Sequence, residues 1–210
     1  MPNVGILVGD IVGSREASDR QKLQSDIQSS LDEVNDEVDG SSIAPMEIVR
    51  GDEFEGGFRD PSACIEAFFT LERILFPVRF KAGIGVGEIS TSEDTSISRM
   101  DGPAFHRARA AVEEAKSSAS DLLIRSNNQS RDAILNTILD LLTLLKERWT
   151  DRQWEIVNHY RENRDRTQSE IAYEFGISQP AVAKVLQRTK IKHIDGAKEV
   201  LAHELKSMVN

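Results

Sequence analysis

The chain has 210 residues, 39% of them hydrophobic, with 26 Lys and Arg against 35 Asp and Glu and a formal net charge of −9. That length suits two small domains. No run approaches the ~20 apolar residues of a membrane span and no basic-then-apolar leader opens the chain, so no membrane partner is expected. Asn3–Val12 is almost wholly apolar and β-branched, and predicts a central strand ending at Asp10. Ser18–Val38 has helical spacing in Leu23, Ile27, Leu31 and Val34, and Gly40–Pro45 reads as a loop. Met46–Val49 and Phe54–Phe58 predict two strands joined by a tight turn at Arg50-Gly51-Asp52-Glu53.

Pro61 opens a helix whose inner side carries Cys64, Ile65, Phe68, Phe69 and Leu71. Cys64 is the single cysteine, so there is no intrachain disulfide, which fits a reducing cytoplasm, and its apolar setting predicts packing rather than nucleophilic chemistry. Val78–Ile89 is a strand with Gly83, Gly85 and Gly87 at alternate positions. Such a face lies close to a ligand or to another backbone, for example a helix crossing the sheet. Gly102–Lys116 predicts a helix and Asp121–Arg125 a final short strand. The front of the chain is therefore expected to be α+β, a ferredoxin-like βαββαβ domain with helices on one face of its sheet.

Ser130–Arg148 is apolar at helical spacing over a stripe wider than one partner helix requires, which either closes a core or offers a self-association face. Thr150 caps a further helix with Trp154, Ile156, Val157 and Tyr160 inward, and Asp195–Val209 predicts a last one. Between them, Gln168–Arg188 reads as a helix-turn-helix. Ala172 permits close helix approach, Gly176 ends the first helix, Ile177 plugs the junction, and Ser178 with Pro180 opens the second helix. Val182, Val185 and Leu186 form its apolar stripe. Ser178, Gln179, Ala181, Lys184, Gln187 and Arg188 would then face a DNA major groove, with Arg161, Arg164 and Arg166 available for phosphates. The plain alternative is a helical hairpin that only packs. Charge agrees with the first reading. Residues 1–145 carry 14 Lys and Arg against 25 Asp and Glu, whereas residues 146–210 carry 12 against 10.

The chemistry of the front half lies in its acids. Asp10 ends the first strand, and Asp52 with Glu53 occupies the turn that this fold places beside it. Carboxylates brought together in this way attract a divalent cation such as magnesium. Asp52 taken alone reads equally well as a turn residue. Gly13, Ser14 and the amides after Asp10 could cradle a phosphate.

The segments GDIVGSREAS at 9–18, RGDEFEGGF at 50–58, KAGIGVGEIS at 81–90 and DGPAFHRARAAVEEAK at 101–116 together resemble the palm of class III nucleotidyl cyclases and diguanylate cyclases. With the C-terminal helix-turn-helix, the whole chain resembles the SatD family. That resemblance implies metal ligation by Asp10, Asp52 and Glu53, with Mg or Mn as the ion. It further implies nucleotide contacts from Ile11, Gly13, Ser14, Arg50, His106 and Arg109, with a purine nucleotide as ligand. Three departures from the cyclase pattern argue against catalysis: His106 and Ala110 stand where ribose- and triphosphate-binding residues belong, Ile48 replaces a base-selecting Lys, and Arg50 replaces a turn Gly. His106 also reads as a surface or capping residue.

Three domains of organisation are expected: a palm over 1–128, a connecting amphipathic helix over 129–148, and a DNA-binding domain over 149–210. The leading reading is a cytoplasmic, homodimeric transcriptional regulator that binds double-stranded DNA, with a palm that senses a nucleotide. The alternatives are a metal-dependent nucleotidyl cyclase or nucleotidyltransferase, and a non-catalytic protein adaptor.

Overall fold

A computed structural model of the chain describes residues 2–16, 19–91 and 96–209. Ser18, the expected start of the first helix, lies outside the described residues. The elements are β1 (Val4–Ile11), α1 (Arg20–Val38), β2 (Ser42–Arg50), β3 (Glu53–Phe58), α2 (Ser62–Ile74), β4 (Phe80–Gly87), α3 (Pro103–Lys116) and β5 (Leu122–Arg125). They continue with α4 (Gln129–Lys146), α5 (Asp151–Glu162), α6 (Gln168–Glu174), α7 (Gln179–Arg188) and α8 (Ile191–Lys206). Two compact units result: residues up to Asp140 together with those from Val200, and Leu141–Glu199. Among the described residues, no helix is long and apolar enough to cross a membrane.

The first unit is α+β, built on a five-stranded sheet of order β2-β3-β1-β4-β5. β1 runs antiparallel to both β3 and β4, and β5 is parallel to β4. The path from β1 to β4 has the split βαβ connectivity of a ferredoxin-like sheet, which α3 and β5 extend. Helices cover both faces, which corrects the one-face expectation. Val4, Ile6 and Val8 of β1 share a core with Ala104, Phe105, Ala108 and Val112 of α3. A side chain at Gly5 would instead meet Cys64 and Pro61, at the start of α2. Leu7 and Ile6 are both fully buried, so β1 is enclosed from both sides.

The alternate glycines of β4 have a structural cause. A Cβ at Gly83 or Gly85 would collide with the α3 backbone at Ala104, Ala108 and Val112, so these glycines let α3 lie directly on the sheet. Sequence also placed Gly40–Pro45 in a loop, whereas β2 begins at Ser42. Pro45 is exposed on this edge strand, and the β2–β3 register shifts between Ala44 and Glu47. An edge tolerates the missing amide, so proline does not end the strand there.

The second unit is helical. Ile156 of α5, Ile171 and Ala172 of α6 and Val182 of α7 form its buried cluster, flanked by Tyr160, Phe175, Ile177, Val185 and Leu186. Trp154 is 1% exposed and packs against Trp149, with ring centroids 4.7 Å apart and the rings tilted by 60°. α5 and α6 each begin with a reciprocal capping box, Thr150 with Gln153 and Thr167 with Glu170. The Glu170 carboxyl lies below its usual range because the Thr167 amide and hydroxyl donate to it. α8 starts four residues before the predicted Asp195, because Asp195 lies inside the helix and pairs with Arg161 at 2.8 Å rather than capping it. Within the first unit, the end of the chain is held against β1 by the Asn3 side-chain amide, which donates to the Met208 carbonyl at 2.7 Å.

Candidate functional site

The expected acids gather at one corner of the sheet, where Asp10 and Asp52 each have a protein partner. Asp10 and Glu53 are direct cross-strand neighbours on β1 and β3, and the Ile11 amide donates to the Asp52 carbonyl at 3.3 Å. Gly51 has a φ of +63°, which glycine adopts at little cost and which closes the two-residue turn before Glu53. The Asp52 carboxylate accepts from the buried Ser14 hydroxyl. Asp10 is ion-paired with Lys116, the last residue of α3. Glu53 stays half-buried between them. Its pKa is raised chiefly by burial and then by Glu55, with Asp10 adding to the rise and Lys116 and Arg109 opposing it.

Glu55 was not anticipated. It pairs across the ladder with Val8, so it points to the α3 side of the sheet, where it is 2% exposed. Arg109 of α3 donates to both its oxygens, through Nε at 3.1 Å and Nη2 at 3.4 Å. A buried carboxylate needs such a partner. Burial works to lower the Arg109 pKa, but the Glu55 hydrogen bond and charge outweigh it, so the guanidinium is held above its usual value. The signals for both missed residues were present in the sequence. Glu55 breaks an apolar strand two places after Glu53, and Lys116 follows Arg109 by seven residues, two turns along the same side of α3.

The remaining expected nucleotide contacts lie in different settings. His106 is 69% exposed and sits 3.7 Å from Asp101, Arg50 is exposed, and Arg109 is engaged by Glu55. Gly13, with φ +71°, and Ser14 form a short turn after β1 closed by the Glu16 amide on the Gly13 carbonyl at 2.9 Å. Ile11 is buried. Oxygen donors of this kind suit a hard cation. Among the described residues, however, no three His, Cys, Asp or Glu side chains are grouped to hold a metal ion. Asp10 and Asp52 are turned to Lys116 and Ser14, so the residues as arranged do not fit a resident divalent cation. Cys64 is fully buried, and burial pushes its thiol pKa well up, so it is a packing group.

In the second unit, the turn between α6 and α7 is a Schellman closure. The Ile177 amide donates to the Ala172 carbonyl at 2.9 Å and the Gly176 amide to the Tyr173 carbonyl at 3.2 Å, with Gly176 at φ +63°. Ile177 packs on the cluster containing Ala172. Ser178 occupies the N-cap of α7 without a side-chain capping bond. Gln179, Lys184, Gln187 and Arg188 are exposed, and Ala181 is half-buried. Gln179 is oriented by a bond that sequence did not reveal: its amide donates to the Gln168 carbonyl oxygen at 2.8 Å. Arg166 is paired with Glu174, and Arg164 reaches Asp195 only at 4.0 Å.

The sequence matches the SatD family over residues 5–204, and the chain belongs to that family. Among curated proteins none matches it. Solved structures to which the chain is similar include nucleotidyl cyclases. One is a bacterial light-regulated adenylyl cyclase, 16% identical over 59% of this chain and 75% of that one, with a TM-score of 0.47. A second is the adenylyl cyclase CyaB from P. aeruginosa, 15% identical over 65% and 81%, with a TM-score of 0.47. A third is the guanylyl cyclase Cya2, 16% identical over 59% and 77%, with a TM-score of 0.42.

Proposed function

We propose that this SatD-family chain is a DNA-binding regulator, with α6 and α7 as a helix-turn-helix and α7 as the helix that enters the major groove. The observation that carries the reading is the outer side of α7. Gln179, Lys184, Gln187 and Arg188 are exposed there, above a junction fixed by Gly176 and Ile177. Among the described residues, Lys184 and Arg188 have no carboxylate within ion-pair distance, so their charge is available to phosphate. The Gln168 bond leaves Gln179 one further N–H and its oxygen, the pair that reads an adenine edge. In this reading two copies pair through the exposed Ile134, Leu141 and Leu145 of α4 to present two such helices. Fluorescence anisotropy with labelled duplex DNA at low salt tests it. Binding should weaken as salt rises and be lost in the Lys184→Glu/Arg188→Glu double variant. No binding by the wild-type chain at low salt defeats the reading.

A second reading, a nucleotidyl cyclase or nucleotidyltransferase acting on nucleoside triphosphates, is favoured by the meeting of Asp10, Glu53 and the Asp52 turn at one strand end. Its test is turnover of ATP or GTP with Mg or Mn, abolished by Asp10→Ala and Asp52→Ala. Under the first reading no turnover occurs.

A further inference from the structure

The carboxylates on the α3 side of the sheet are balanced from within the chain. Asp10 and Glu53 face each other across β1 and β3, and Glu55 lies two residues further along the same face. Two cations descend on them from one helix. Arg109 grips Glu55, and Lys116 grips Asp10 while also holding Glu113 at 2.8 Å. The cation opposite Asp10 on β4, Lys81, is turned elsewhere: its ammonium donates to the Ser120 carbonyl at 2.7 Å and meets Asp121 at 3.3 Å. Lys116 therefore supplies the positive charge at Asp10.

We propose that Lys116 is the resident cation of this corner, a tethered ammonium occupying the position into which Asp10, Glu53 and the Asp52 turn would otherwise draw a divalent metal. The reasoning is electrostatic. Facing carboxylates repel, and a cation close to both relieves that repulsion. An ammonium on the end of α3 is present at high effective concentration and loses no translational freedom on arrival. A divalent ion has to displace it before reaching Asp10. Lys116 is only 33% exposed, so its ammonium is held at this corner rather than spread into solvent. The inference is independent of the DNA-binding reading and concerns only the first unit.

Manganese binding to the full chain, followed by electron paramagnetic resonance of the free ion and by calorimetry, tests it. The wild-type protein should bind Mn2+ no more tightly than about 1 mM. Lys116→Gln, which keeps the length and removes the charge, should bind roughly tenfold or more tightly. Lys116→Arg should behave as wild type, and Lys116→Gln/Asp10→Asn should lose the gain. Equal affinity in wild type and in folded Lys116→Gln overturns the proposal. Should Lys116→Gln not fold, the wild type alone decides: Mn2+ binding near 10 μM that Asp10→Ala abolishes overturns the proposal as well.

Discussion

The two units treat charge in opposite ways. In the first, two of the acids that drew attention in the sequence are held by a nearby group, Asp10 by Lys116 and Asp52 by Ser14, and the unanticipated Glu55 is held by Arg109. In the second, Lys184 and Arg188 of α7 are exposed and, among the described residues, have no carboxylate within ion-pair distance, while Arg161 and Arg166 are engaged by Asp195 and Glu174. Charge consumed internally shapes a fold; charge left outward on a rigid helix is available to a partner. A cluster of acidic residues in a sequence says nothing about which of these it is, because the neutralising cations come from an element more than 50 residues away along the chain.

Breaking the contrast should have graded effects. The largest loss of stability should come from Ile171→Ala, which removes a fully buried side chain from the α5–α6–α7 junction. It should cost about 3 kcal/mol in chemical denaturation of the second unit and abolish any property that depends on α7. Arg109→Met should come next. It leaves Glu55 buried and unpaired, at a cost of about 2 kcal/mol, discounted because Arg109 is itself 45% exposed. Arg109→Met/Glu55→Gln should recover most of that loss. Both are read from denaturant midpoints.

Thr167→Ala should cost about 1 kcal/mol by removing the α6 capping box. Because the Glu170 carboxyl is held below its usual range, the stability it lends is present above the unfolded pKa and is lost as pH falls through the folded one. The difference between wild type and Thr167→Ala should therefore narrow in acid. Glu53 has the opposite sign. Its folded pKa is raised, so ionising it disfavours the folded state as pH climbs above the unfolded value. Glu53→Gln should raise the melting temperature slightly at pH 7 and leave it unchanged near pH 3.

Most of the fold was legible in the sequence because its signals are local. The apolar run of β1, the helical spacing of α1 and α2, and the Gly176-Ile177-Ser178 turn each depend on a few adjacent residues. The face on which α3 packs was not legible. The glycines of β4 announced a close approach, but only three dimensions show that the α3 backbone makes it. The candidate site divides similarly. Asp10, Asp52 and Glu53 do come to one corner, as their order in the chain implied. Their partners Lys116 and Ser14, and the Glu55–Arg109 pair, arise from contacts of 38 or more residues in separation, which no motif encodes.

The contrast between the units is tested most directly by hydrogen–deuterium exchange of the full chain, alone, with duplex DNA, and with manganese and ATP. DNA should slow exchange across Gln179–Arg188 and leave the Asp10 and Asp52 corner unchanged, while manganese and ATP together should alter neither. Protection of residues 10–16 and 50–53 by manganese and ATP, with α7 unmoved by DNA, would contradict it.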